Sequence, residues 1–596
     1  MRIKEVTVRR YRGWAGPTTW SPSAHDVLLG PNNGGKSSLL RAVDLALNPH
    51  RNPYRDLLGT HDFFDLKTDD PIELTIVLSG LSEEDCDVFE EYLEGQRPDL
   101  SFGPVDSPDE EFDQGSLVLR IEFIAALDTP ASSVFARPDA GQARVTQDHK
   151  LRIGWYLVPA DLDPLKELAF YSNSIFAKLF EQVDLGSELD AIREGIEHAK
   201  GDLMKQKHVA ETRDRLEDAT KKLGLVDGDD ALDFAVLDMS DRRVLQSLQL
   251  VARGARSGHR LPLRSHGSGV LRALLLAAVL QHARMRDSNL ILAIEEPEQN
   301  LEPINQRLIA RSLLFASENG AAQTIVSTHS PAIASAVPLA SIELVREISK
   351  HPRVKSLSEV QPAEHKFYER HARGAVIDGL YANAVLLVEG PTDTGALVTL
   401  WGKAFPQNGL DERRVEVIDC ESIDKIPPFV RFFSALDIPV AVICDCDPGA
   451  AKKRKDIFDA GAGMLIHWNT HTDIEGVLAA EADIDSLATA MEEIRAEVDD
   501  WSQHRSSLIE VVKAFAGEHP CLKTAGDIPG LIEGYEEAEK RSALGAILRG
   551  SRPSFKSARD QRLICEALPI APATAIEAMR RMHAFIDDGS GGEHAL

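Results

Sequence analysis

Cysteine is scarce. Six occur in 596 residues, at Cys86, Cys420, Cys444, Cys446, Cys521 and Cys565, and their spacing forms no disulfide framework. A reduced, cytoplasmic protein is expected. Cys444 and Cys446 invite a metal, but no second Cys/His pair has zinc spacing, so packing against a sheet is the expectation. Long apolar runs are missing too, which excludes a membrane span. The N-terminus, MRIKEVTVRR, lacks the apolar core of a signal peptide. Basic excess is absent: 66 Lys and Arg face 94 Asp and Glu, a formal net charge of −28. Taken alone, that argues against nucleic acid. The average hides basic stretches, among them KEVTVRRYR, RGARSGHRLPLR, KKRK and RGSRPSFKSARDQR, so global charge decides little. The length exceeds what one hydrophobic core serves, and two to four domains are expected.

What is present begins with GPNNGGKSS, Gly30 to Ser38, between an apolar strand (27–29) and a helical pattern. This is G-x-x-x-x-G-K-S in the context it needs. Gly30, Asn33 and Gly35 let backbone N–H groups curl around phosphate oxygens. Lys36 adds charge, while Ser37 and Ser38 offer hydroxyls, Ser37 to Mg²⁺. Far downstream, NLILAIEEPEQNL is a buried strand ending in two acids. Glu295 is placed to hold the metal and Glu296 to orient attacking water. Glu298 has a plainer reading, a charge favouring a helix N-terminus. In AAQTIVSTHSP, His329 ends the next strand, within reach of a γ-phosphate. Upstream, Ser265 and Gly267 precede an apolar helix whose N-terminus is a second phosphate site. ATP with Mg²⁺ is the implied cofactor. Residues 162–250 read largely as helix, a dimerisation element or lid.

After residue 348 the pattern changes. Residues 349–380 are polar and are expected to be a linker. Next, ANAVLLVEG, RRVEVIDC, IPVAVICDCD and AGMLIHW alternate with helical segments, as a small parallel sheet would. Sites in such sheets lie at the carboxyl ends of the strands. There stand Glu389 and Asp393, Asp445 and Asp447, and Asp473 and Glu475. Unpaired, these carboxylates would raise one another's pKa. Hard divalent cations, Mg²⁺ or Mn²⁺, relieve this, and a two-metal carboxylate site can cleave phosphodiesters.

The order of phosphate loop, SxGxG before a helix, strand-EEPE and strand-THSP resembles ABC-type ATPase heads of the RecF/SMC-like subgroup. EGPTD with a later DCD resembles the Toprim fold. Together they resemble the OLD (overcoming lysogenization defect) nucleases, including the nuclease subunit of Gabija anti-phage systems. The resemblance implies an α/β protein of two parts. An ABC-type P-loop ATPase (1–348) with a helical insertion precedes a Rossmann-like Toprim domain (381–596) with a second helical insertion (481–545). It implies a homodimer in which the Ser265–Gly267 segment closes on the partner's nucleotide. It makes Glu389, Asp393, Asp445, Asp447 and Glu475 metal ligands, and Lys556 a cationic stabiliser of the phosphorane-like transition state. Two departures stand out: Glu295 sits where the family usually has Asp, and DCES follows the second Toprim strand where many members have glycine.

The implied function is an ATP-regulated, metal-dependent endonuclease on DNA in anti-phage defence, with a UvrD-like helicase as a possible partner. The alternatives are a RecF-like clamp that binds without cutting and a Toprim ribonuclease acting on tRNA. A topoisomerase is not expected: it would need a catalytic tyrosine in a separate DNA-gate domain, and the region after Lys540 has no tyrosine.

Overall fold

The computed structural model describes all residues except 53–55, 97–101, 105–116, 137–142, 170–173, 177–185, 223–249, 254–258, 286–289, 321, 349–350, 447–448, 469–472, 499–500 and 551–553. The chain divides into two compact units. One comprises Met1–Leu28 and Gly35–Val337, the other Leu29–Gly34 and Pro338–Leu596.

Among its described residues the first unit has a two-stranded pair, Val251–Arg253 antiparallel to Arg260–Pro262, and two larger sheets. In one, the strands Thr18–Trp20, Arg2–Arg9, Ile72–Ser79, Leu117–Ala125, Leu93–Gln96 and Phe102–Pro104 lie in that order. Its pairings are antiparallel. Arg2–Arg9 alternates as expected for a half-buried strand, with Val6 and Val8 buried and Thr7 between them less so. In the other sheet, His25–Leu29, Gln323–Thr328, Ile291–Glu295 and Trp155–Val158 are neighbours. The last three are parallel. His25–Leu29, Ile291–Glu295 and Gln323–Thr328 are buried at every position, which is why they read as continuous apolar runs. Within 162–250 lie helices Pro164–Glu167, Gly186–Met204 and Lys207–Lys222, while 170–173, 177–185 and 223–249 fall outside the described residues.

In the second unit, residues 349–380 are not a simple linker. They hold a strand, His351–Ser356, antiparallel to Ile342–Ile348, and a helix, Arg373–Leu380. Tyr368 is fully buried, and its hydroxyl donates to the Pro428 carbonyl at 2.9 Å. The polar composition concealed a few anchoring residues, such as Leu357 and Tyr368, that a periodicity reading does not weigh.

The main sheet of this unit has the order Val415–Asp419, Ala384–Val388, Val440–Cys444, Met464–His467, Gly592–Ala595. Every pairing is parallel. Parallel neighbours need crossovers, and helices Pro391–Ala404, Ile426–Ala435 and Ala451–Asp459 supply them. The fifth strand has no apolar signature and becomes a strand through its edge position. The described residues of 481–545 include the helices Ile484–Val498, Trp501–Ala516 and Glu537–Arg549.

One glycine of the EGPTDTG turn is a packing residue. A Cβ on Gly395 would sit 2.0 Å from the Ala558 carbonyl oxygen, whereas one on Gly402 of the same helix would meet nothing within 4 Å. Gly395→Ala is therefore expected to destabilise by about 1–3 kcal/mol or more. Gly402→Ala is expected to stabilise by about 0.5–1 kcal/mol. Thermal melts of the two variants check this, and equal shifts would contradict the packing.

Candidate nucleotide and metal sites

The nucleotide candidate begins with backbone geometry. Gly35, ahead of helix Lys36–Leu47, has φ 101°, and Gly30 has φ 149°. These values favour glycine. Cβ atoms on Gly30 and Gly34 would also lie 2.0 and 2.8 Å from the Val345 carbonyl oxygen. Asn33 takes φ 62°, as asparagine tolerates, and is exposed, as is Ser37. Lys36 is buried, its Nζ 3.4 Å from His329 Nδ1. Burial lowers its pKa to about 8, against the opposing charges of Glu296 and Glu298.

Glu295 is 1% exposed. Its Oε2 accepts from Arg41 at 3.4 Å and from the Ala160 N–H at 3.3 Å, while Oε1 is buried without a partner. Glu296 has φ 44°, an uncommon left-handed conformation for a residue with a Cβ. Its Oε1 is 3.7 Å from His329 Nε2, and its Oε2 accepts from Gln299 at 2.8 Å. Lys36, His329 and Glu296 thus come together, while the Glu295 carboxylate meets Arg41 and Ala160.

Glu298 differs from its plain reading. It starts no helix; its Oε1 accepts from Thr328 Oγ1 and the His329 N–H, both at 2.8 Å. Burial raises its pKa. It ties the two motif strands together, a role visible only once they are neighbours. Arg272, 3% exposed, donates to the Glu295 carbonyl at 3.0 Å and was likewise missed. Ser265, Gly267 and Ser268 are exposed at the start of helix Ser268–Met285. Among the described residues no hydrogen bond or ion pair joins Ser265 or Gly267 to the Lys36 cluster.

In the second unit, register sets the acids. Val388 stands opposite Asp419 on one side and Ile443 on the other. Three adjacent strands therefore end together, presenting Asp419, Glu389 and Asp445 on one edge. The Asp445 N–H donates to Glu389 Oε2 at 3.3 Å. Asp393, 3% exposed, accepts the Gly390 N–H at 3.2 Å and closes the first helical turn.

Burial, then the charges of Asp393 and Glu389, hold Asp445 well above the usual carboxylate range. Burial and the Glu475 charge do the same for Asp393, where Asp419 also contributes. Burial raises Glu475 as well, with Lys556 and Arg549 opposing. Lys556, whose charge opposes that rise, is exposed. Asp445 Oδ1 is buried and has no hydrogen-bond partner.

Other expectations are modified. Both oxygens of Asp473 are engaged by Arg549, with Nε to Oδ2 at 2.6 Å, and Oδ1 also accepts the Gly476 N–H at 2.7 Å. Asp473 is thus a helix cap and ion-pair partner here rather than an open ligand. Its partner lies 76 residues away, beyond any local pattern. Asp447 falls outside the described residues. Among the described residues no group of three or more His, Cys, Asp and Glu side chains is gathered closely enough to hold a metal. Asp419 was read only as part of an odd DCES loop. In that loop Glu421 takes φ 63° and pairs with Lys425, so the left-handed turn is made without glycine. Cys444 is buried in its strand, and none of the six cysteines is in a disulfide. Among the described residues no helix is long and apolar enough to cross a membrane.

Comparisons with known proteins cover both units. A family model described as "AAA domain, putative AbiEii toxin, Type IV TA system" matches residues 27–335, just over half of the chain. A second, "Overcoming lysogenization defect protein-like, TOPRIM domain", matches residues 380–447. An OLD nuclease of Thermus scotoductus is 26% identical over 446 residues, covering 72% of this chain and 79% of that protein. The Old nuclease of Escherichia phage P2 is 26% identical over 194 residues, covering 30% of this chain and 33% of that protein. Among solved structures, an SMC head bound to the C-winged helix domain of ScpA is similar at 14% identity and a TM-score of 0.39. It covers 61% of this chain and 100% of that one.

Proposed function

We propose, from the premise that this chain belongs to the OLD family of ATPase–Toprim nucleases and is an endonuclease with an ATPase domain, that it cuts or nicks DNA with divalent metal under the control of bound ATP. The observation that carries the reading is Asp445. Its Oδ1 is buried and unpartnered at an edge shared with Glu389 and Asp419. An orphaned carboxylate oxygen among like charges fits a cation. Glu389, Asp393 and Asp445 would close on it, since among the described residues no three such side chains already stand close enough to hold a metal, with Asp447 and Glu475 completing the set. Bound Mg²⁺ or Mn²⁺ would supply charge neutralisation at the phosphodiester and a more acidic water. Lys556 would steady charge developing on the phosphorane-like transition state.

At the nucleotide site, Lys36 binds the outer phosphates, the Gly30–Ser38 loop cradles them, and Ser37 and Glu295 serve the ATP-bound Mg²⁺. Glu296, held by Gln299 and His329, orients water. A homodimer would bring Ser265 and Gly267 of one copy to the nucleotide of the other. We assign the ATPase to 1–348 and the nuclease to 381–596. Residues 349–380 join them as a folded segment, and 162–250 serves as a dimerisation element. Anti-phage defence, with a UvrD-like helicase as a partner in the manner of Gabija, completes the proposal.

The test incubates purified protein with supercoiled plasmid and with tRNA, each with and without Mg²⁺, Mn²⁺ and ATP. Metal-dependent plasmid cleavage whose rate changes with ATP is expected. Cleavage of tRNA alone would replace DNA by RNA as substrate, and binding without cleavage would overturn the nuclease reading for this chain.

A further inference from the structure

Beside the acidic edge, the helical insertion of the second unit forms a groove of about 540 Å³. Its walls come from helices Ile474–Glu481, Trp501–Ala516 and Glu537–Arg549. One end is at the candidate metal site, because Gly476, next to Glu475, lines it. So does Arg549, the partner of Asp473. Arg541 lines it further along, its Nη1 donating to the Ala479 and Ala482 carbonyls at 3.1 and 3.0 Å and its Nε and Nη2 to Glu537 Oε1 at 3.1 and 2.9 Å. Phe515, 60% exposed, completes it.

The combination is unusual for this chain. With a formal net charge of −28, it presents a groove with two guanidinium groups among its lining residues, their carboxylate partners Glu537 and Asp473 lying outside the lining. An exposed phenyl ring beside guanidinium groups suits a polymer that is both anionic and aromatic. Arg groups take phosphates bidentately, and a ring face takes an unpaired base of any sequence. The volume is that of a small-ligand site, enough for about one nucleotide at a time.

We propose that this groove is the track by which a polynucleotide strand with unpaired bases reaches the acidic edge. Phe515 stacks a base. Arg549 holds a flanking phosphate. Arg549 exchanges Asp473 for phosphate as the strand arrives, which releases the Asp473 carboxylate toward the acids beside it. Arg549 is thus a positioning residue that couples substrate arrival to completion of the site. The proposal rests on the nuclease reading above.

The test uses the full chain in EDTA, so that binding is read without cleavage. Fluorescence anisotropy follows a labelled oligothymidine and a labelled duplex over a range of salt. Phe515→Ala, at an exposed position, is expected to weaken oligothymidine binding about tenfold and duplex binding far less. Arg549→Gln is expected to reduce the slope of log K against log salt by about one. Plasmid cleavage by the wild type in Mg²⁺ is measured in parallel. If the wild type cuts plasmid while both variants bind as it does, the groove is not the track and the nuclease reading stands. Equal losses on oligothymidine and duplex would overturn the stacking role of Phe515. A wild type that neither binds nor cuts would sink the nuclease reading and the groove with it.

Discussion

Asp445→Asn is expected to abolish cleavage while raising the melting temperature of the metal-free protein. The two effects share one cause. Asp445 is ionised only against burial and against the charges of Asp393 and Glu389, and one of its oxygens has no partner. Such an arrangement serves a cation at the expense of the empty fold. Removing the charge should lower the cleavage rate at least about a hundredfold, a loss of about 3 kcal/mol of transition-state stabilisation. In the metal-free protein it should add about 1–3 kcal/mol of stability. For a domain of this size each kcal/mol shifts the melting temperature by about 2–4 °C.

The same reasoning fixes a pH dependence. Asp393 and Asp445 have folded-state pKa values raised above those of the unfolded chain. The metal-free folded state therefore binds the extra protons. Their contribution to stability is fully present below about pH 4 and is lost as pH rises through the raised values. Mg²⁺ or Mn²⁺ should remove most of that slope. Melts of wild type and Asp445→Asn across pH, with and without metal, measure both effects. A variant that melts lower than wild type in EDTA at neutral pH would contradict the electrostatic account.

Lys36→Met should show the same opposition at the nucleotide site. The ammonium is almost fully buried, and its pKa is lowered to about 8, below its unfolded value. The cost of the buried charge is present below pH 8 and fades as pH rises toward about 10.4. Methionine keeps the stem and removes the charge. ATP affinity is expected to fall at least about a hundredfold. Stability without nucleotide should hold or rise by about 1–3 kcal/mol. Titration calorimetry with a non-hydrolysable ATP analogue, beside melts without ligand, separates the two. Unchanged affinity would remove Lys36 from the phosphate site. A large loss of stability would mean that its contact with His329 outweighs the burial of charge.

Much of both candidate sites was legible because the relevant patterns are short. A phosphate loop needs glycines at fixed offsets and a lysine, so GPNNGGKSS declares itself in nine residues. The strands Ala384–Val388 and Val440–Cys444 are continuous apolar runs, and the acids directly after them are read off by position. Other features escaped because their signals are not local. Glu298 looks like a helix-start charge until Thr328 and His329, 30 and 31 residues on, are placed against it. Asp419 looks like a loop acid until Val388 is set beside it. The strand Gly592–Ala595 carries no apolar pattern, because edge pairing with Met464–His467, rather than burial of side chains, makes it a strand.

Sequence alone, then, determined which chemistry is available: a phosphate loop with its lysine, paired acids behind two strands, and acid after acid behind the strands of a second, parallel sheet. These follow from φ/ψ demands and apolar runs that act within a few residues. Tertiary structure alone decided how those acids are paired. It gave Asp473 to Arg549, left Asp445 Oδ1 without a partner, and drew Asp419 to the same edge. The reason is that burial and charge pairing depend on distances in space, and a parallel sheet with long crossovers sets those distances between residues far apart in the chain.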